Sequence, residues 1–96
     1  MSQENFNREV KVGKKFAIDL EALPGAGYMW ELTQNPDEFE VLSQKVVSRS
    51  REIGGNSTQR FFLIAHQPGS YSLEFELKRK WEGLPVKTSI FSIQVK

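Results

Sequence analysis

Cysteine is absent from the 96 residues. No disulfide can brace the fold, no thiolate can ligate a metal, and the chain suits a reducing compartment. Histidine occurs once, at His66, so a metal site built on several imidazoles is excluded and a catalytic triad has a single candidate base. No apolar run approaches the length that spans a bilayer, and no segment keeps the 3.6-residue period of an amphipathic helix for three turns. A dominant charge is also missing. Thirteen Lys and Arg against twelve Asp and Glu leave a net charge of +1, which argues against a dedicated nucleic-acid or membrane-surface protein. The opening MSQENFNREV carries no apolar leader segment. Together these absences lead to the expectation of a soluble chain, cytoplasmic rather than secreted, with no cofactor, metal or membrane partner.

What is present is alternation. KFAIDL sets Phe16, Ile18 and Leu20 on one face, and YMWEL does the same with Tyr28, Trp30 and Leu32. In SYSLEFELK, Tyr71, Leu73, Phe75 and Leu77 alternate with Ser72, Glu74, Glu76 and Lys78, and SIFSIQVK aligns Phe91, Ile93 and Val95. A period of two with one apolar face predicts half-buried antiparallel strands. RFFLIAH is apolar on both faces, as a central strand would be, while FEVLSQKVVSRS reads as a long, bent strand and REVKV as a short first one ending at Gly13. Turn residues separate the runs at LPGAG, QNPDE, EIGGNS, HQPGS and WEGLP. About seven to eight strands in this length predict an all-β, immunoglobulin-like antiparallel β-sandwich without its usual disulfide. The expected organisation is a single domain over residues 1–96, with 1–7 a flexible N-terminus. Trp30 is the expected core anchor, and Tyr71, just after Pro68-Gly69, stands where a tyrosine corner would.

If successive strands run in opposite directions, three connections fall at one pole: LPGAG, EIGGNS and RKWEGLP. Gly25, Gly27, Gly54 and Gly55 have a plain role there as turn formers. Trp81 follows Lys78, Arg79 and Lys80 at the end of a strand, where a large aromatic is either core or an interface anchor.

Catalysis finds little support. His66 ends a hydrophobic strand and no Gly-x-Ser-x-Gly elbow occurs. The carboxylate pairs Asp19/Glu21 and Glu74/Glu76 are spaced by two, which places each pair on one solvated strand face. The chain is therefore not expected to be an enzyme. A sequon at Asn56-Ser57-Thr58 lies on the fourth-to-fifth connection, where a glycan would obstruct the pole.

The three connections resemble those of the chagasin-like inhibitors of papain-type cysteine peptidases, across residues from about Val10 to Val95. Members carry an Asn-Pro-Thr-Thr-Gly-aromatic segment, a Gly-rich segment and an Arg-Pro-Trp segment on three loops of an immunoglobulin-like fold. Here Leu23-Pro24-Gly25-Ala26-Gly27-Tyr28 is similar to the first, Gly54-Gly55-Asn56 to the second and Arg79-Lys80-Trp81 to the third. Leu23 stands for Asn, Gly25 and Ala26 for both threonines, and Lys80 for Pro. The resemblance implies a monomeric, reversible, competitive inhibitor whose partner is a papain-like cysteine peptidase, cathepsin L-like or similar. Pro24 to Gly27 would enter the V-shaped cleft as a slim wedge, Trp81 would pack on the primed side, Arg79 would meet acidic or carbonyl groups beside it, and Gly54 to Asn56 would rest on the opposite wall. Each lost threonine hydroxyl removes a hydrogen bond of roughly 0.5–1.5 kcal/mol. The alternative is a binding module for single-stranded nucleic acid or another protein, through the basic-aromatic loop of Lys78 to Trp81.

Overall fold

A computed structural model of the chain describes residues 2–48 and 57–96. The second loop signature, Gly54, Gly55 and Asn56, lies outside the described residues. Seven strands form: β1 Ser2–Val10, β2 Lys15–Ala22, β3 Tyr28–Gln34, β4 Phe39–Ser48, β5 Ser57–Ala65, β6 Gly69–Arg79 and β7 Lys87–Val95. They make two layers, one sheet of order β1-β7-β6-β3 and one of order β2-β5-β4. The architecture is the all-β sandwich expected from the alternation.

The inward residues are the ones the period of two selects. Ile18 and Leu20 of β2, Phe61, Leu63 and Ala65 of β5, Leu73, Phe75 and Leu77 of β6, and Phe91, Ile93 and Val95 of β7 are buried together. β5 is the middle strand of its sheet, in keeping with its two apolar faces. Its outward Phe62 lies beneath the ammonium groups of Lys15 and Lys45, 5.1 and 5.5 Å from the ring centroid. Asp19 and Arg60, register partners across β2 and β5, form a bidentate pair at 2.8 and 2.9 Å. The Asp19 carboxylate, through hydrogen bonding and charge, raises the Arg60 guanidinium above its ordinary value.

Trp30 ties the layers. It is 4% exposed, and its indole N–H donates to the Glu21 carbonyl at 2.7 Å. Gln59 of β5, 2% exposed, accepts from the Trp30 backbone N–H at 2.8 Å and donates to the Trp30 carbonyl at 2.8 Å. A side-chain amide thus stands in for a neighbouring strand along the outer edge of β3. Tyr71 donates its hydroxyl to the Pro68 carbonyl at 3.1 Å, which pins the turn before β6 in the manner of a tyrosine corner.

Two expectations are corrected. Residues 2–7 are not a free lead-in, because they belong to β1 and pair with β7 from Ser2↔Lys87 onward. Phe6 stacks on Phe91 at 4.8 Å between centroids and Glu4 pairs with Lys87. With only Phe6 and Val10 apolar, β1 has too sparse a pattern to be read as a strand along its whole length. The sandwich is also not wholly antiparallel, since β1 and β7 run parallel. The expected bend in the fourth strand is a register shift between Val41 and Ser43, where a bulge turns the strand. Among the described residues, no helix is long and apolar enough to cross a membrane.

Candidate functional site

The connection between β2 and β3 is short and rigid. Leu23 and Tyr28 form an isolated bridge, the Leu23 N–H donating to Tyr28 O at 3.1 Å and the Tyr28 N–H to Leu23 O at 3.0 Å. Between them Pro24–Ala26 makes one 3-10 turn, entered through Pro24 and closed by Gly27 at φ +85°. Pro24 fixes its own φ and has no N–H to satisfy, and Gly27 takes the left-handed conformation that a side chain would strain. The result is a narrow tip, with Leu23, Pro24, Gly25 and Ala26 all exposed.

The connection between β6 and β7 lies against it. Trp81 is 71% exposed, yet the outer edge of its six-membered ring lies against Gly27, where an added Cβ would come within 2.5 Å of Trp81 Cη2. Arg79, the last residue of β6, joins the two loops. Its Nε donates to the Ala26 carbonyl at 3.0 Å and its Nη1 to Glu82 Oε1 at 3.2 Å. The guanidinium also lies 4.4 Å from the Tyr28 ring centroid and 5.8 Å from that of Trp81. The acidic and carbonyl groups that Arg79 meets are therefore the chain's own. Lys80 projects into solvent without a carboxylate partner among the described residues.

Residues 49–56, with the second signature loop, lie outside the described residues. Their flanking strand ends, Ser48 and Ser57, pair with each other, and Ser57 pairs with Ala22, one residue before Leu23. The strands thus lead into all three signature connections from the same end of the sandwich. The opposite end holds the remaining turns, cross-tied by bonds such as Gly13 N–H to Ala65 O at 2.8 Å and His66 N–H to Glu38 O at 2.8 Å. His66 sits there with Glu40, 3.0 Å away, far along the strands from Trp81.

Three features of this end escape sequence reasoning. Leu84 is 80% exposed on the same loop as Trp81, and its only sequence signal is an apolar residue placed between Gly83 and Pro85. Glu82, which no sequence motif singles out, is the Arg79 partner. A groove of about 920 Å³ also opens beside Trp81, lined in part by Met29 of β3 and Gln44, Lys45 and Val46 of β4. Residues so distant in the chain carry no shared local pattern.

One end of the all-β sandwich thus gathers a slim Pro-Gly turn and an exposed tryptophan. The chain belongs to the chagasin family of peptidase inhibitors, whose profile, chagasin family peptidase inhibitor I42, matches residues 9–95. The family consists of inhibitors, not enzymes. Three solved structures share the fold. The cysteine protease inhibitor EhICP2 from Entamoeba histolytica is 17% identical, with a TM-score of 0.76 over 99% of this chain and 96% of its own. PbICP-C, solved in complex with falcipain-2, is 24% identical, with a TM-score of 0.76 over 98% of this chain and 89% of its own. Amebosin is 15% identical, with a TM-score of 0.74 over 99% of this chain and 97% of its own. At these identities the likeness establishes a common fold. No curated protein sequence matches the chain.

Proposed function

We propose that the chain is a reversible, competitive inhibitor of papain-type cysteine peptidases, with the Leu23 to Tyr28 turn as the wedge that enters the active-site cleft. The observation that carries this reading is the lock between wedge and tryptophan: Arg79 bonded to Ala26 O while its guanidinium covers Tyr28 and approaches Trp81. The two loops form one preordered edge, so little conformational freedom is lost on docking. The family membership and the likeness to PbICP-C, solved with falcipain-2, support the choice of target class.

The wedge resists cleavage for a conformational reason. A peptidase cuts a segment held extended across its cleft, whereas Pro24–Ala26 is a 3-10 turn closed by a left-handed Gly27. Its carbonyls point around the turn instead of lying along a strand. Trp81 and Leu84 offer apolar area beside the wedge, and the Gly54 to Asn56 segment completes the edge in this reading. Single-stranded nucleic acid is not favoured, because Arg79 is engaged within the chain.

The test is a titration of papain and a cathepsin L-like enzyme, following residual activity on a fluorogenic peptide. Competitive inhibition is expected, weakened by both Trp81→Ala and Gly27→Trp. Losing a central aromatic anchor costs about 2 kcal/mol, a loss of roughly thirtyfold. Inhibition unaffected by both substitutions would remove this edge from the interface, and no inhibition at micromolar protein would remove the function.

A further inference from the structure

The groove beside Trp81 runs between the outer edges of β3 and β4, the strands at one open side of the sandwich. Buried Trp30 and Gln59 contribute to its lining, along with Gly27 of the turn, Met29 of β3 and Val46 of the facing sheet. Gly27 and Trp81 belong both to the groove and to the proposed inhibitory edge.

Its charge is one-sided. Three lysines, Lys45, Lys78 and Lys80, line it against one carboxylate, Glu31. That carboxylate is already paired with Lys78, Nζ to Oε2 at 3.1 Å. Lys45 and Lys80 have no ion-pair partner among the described residues, and both are exposed. In a chain of net charge +1, this surplus is concentrated beside the wedge.

An added β-strand is not the occupant along β3, because Leu23 and the Gln59 amide already engage the outward backbone groups of Tyr28 and Trp30. Recognition must come from side chains: carboxylates toward the two lysines and apolar groups toward Met29, Val46 and Trp81. The shape states where they come from. A wedge that enters a V-shaped cleft brings the cleft's wall up along the wedge's flank, and here that flank is concave.

We propose that the groove seats one wall of the target peptidase's cleft, and that this wall carries carboxylates opposite Lys45 and Lys80. The proposal rests on the peptidase-inhibitor reading and adds the chemistry of the target's rim. Complementary charge at an interface margin acts mainly on association and fades with salt.

The experiment measures association and dissociation rates with papain and the cathepsin L-like enzyme, using whichever is inhibited more strongly, at about 0.05 M and about 0.5 M salt. The chains compared are the unmodified protein, Lys45→Glu/Lys80→Glu, Lys45→Arg/Lys80→Arg and Trp81→Ala. The double glutamate variant is expected to associate about tenfold more slowly at low salt and to approach the unmodified protein at high salt. The double arginine variant should match the unmodified protein, and Trp81→Ala should act on dissociation at both salts. Matching circular dichroism and Tm establish that the surface variants fold. If Trp81→Ala impairs inhibition while the double glutamate variant associates normally at low salt, the groove proposal is overturned and the wedge stands. If the unmodified protein inhibits neither enzyme, the inhibitor reading falls and takes the groove proposal with it. Displacement of the bound peptidase by oligothymidylate would assign the lysines to nucleic acid and overturn the proposal as well.

Discussion

Gly25 and Gly27 are two residues apart in one turn, and their local physics differs. Gly27 is at φ +85° with Trp81 where its Cβ would be, whereas Gly25 has negative φ and nothing within 4 Å of an added Cβ. Alanine at 27 therefore meets left-handed strain, about 1 kcal/mol, and must also displace the indole. Gly27→Ala is expected to lower Tm by about 4–8 °C and to shift Trp81 fluorescence, while Gly25→Ala stays within about 0.5 kcal/mol of the unmodified chain. Thermal unfolding followed by fluorescence checks both. From the sequence alone the two glycines are equivalent turn formers. The difference arises only because the β6–β7 connection folds back over one of them.

At the scale of elements, the edge strand β3 is the informative case. An edge strand leaves a row of unpaired N–H and C=O groups that invites pairing by another chain. Leu23 closes the row at Tyr28, and Gln59 closes it at Trp30 with both ends of its amide while donating also to Gln44 Oε1 at 3.0 Å. Replacing Gln59 with Leu keeps the volume and strands two buried backbone groups. Such a change should cost about 2–4 kcal/mol, read as a lowered urea midpoint with little change in slope. A full-length slope with an unchanged midpoint would show that the amide contributes nothing. In the sequence Gln59 is one polar residue before RFFLIAH, with no mark of burial. β1 was equally illegible over residues 2–7, since its stabilisation comes from β7, the far end of the chain.

For the whole molecule, the connectivity sets the folding behaviour. β1 pairs with β7 and β3 with β6, so the sheets close only when remote segments meet, and the loop-closure entropy of each pairing precedes its reward. Chains dominated by such non-local pairing fold in milliseconds to seconds. Trp30 is a buried reporter at the junction of the layers, and Trp81→Phe would leave it as the sole tryptophan. Stopped-flow refolding of that variant should give one exponential phase in the millisecond-to-second range. A microsecond phase carrying most of the amplitude would contradict a closure-limited sandwich.

Apart from the start of β1, the sequence by itself determined the strands and the faces they bury, because a period of two is a local property and needs no partner to be read. It also supplied the order of the loop motifs, Leu23 to Tyr28 before Arg79 to Trp81, since order and residue type are linear facts. Only the tertiary structure decided what those loops do to one another. Arg79 reaches Ala26 across 53 positions of chain, the Trp81 ring settles on Gly27, and Lys45 meets Lys80 along a shared groove. Each of these depends on which strands become neighbours, and that follows from packing two sheets over one core, which no local pattern encodes.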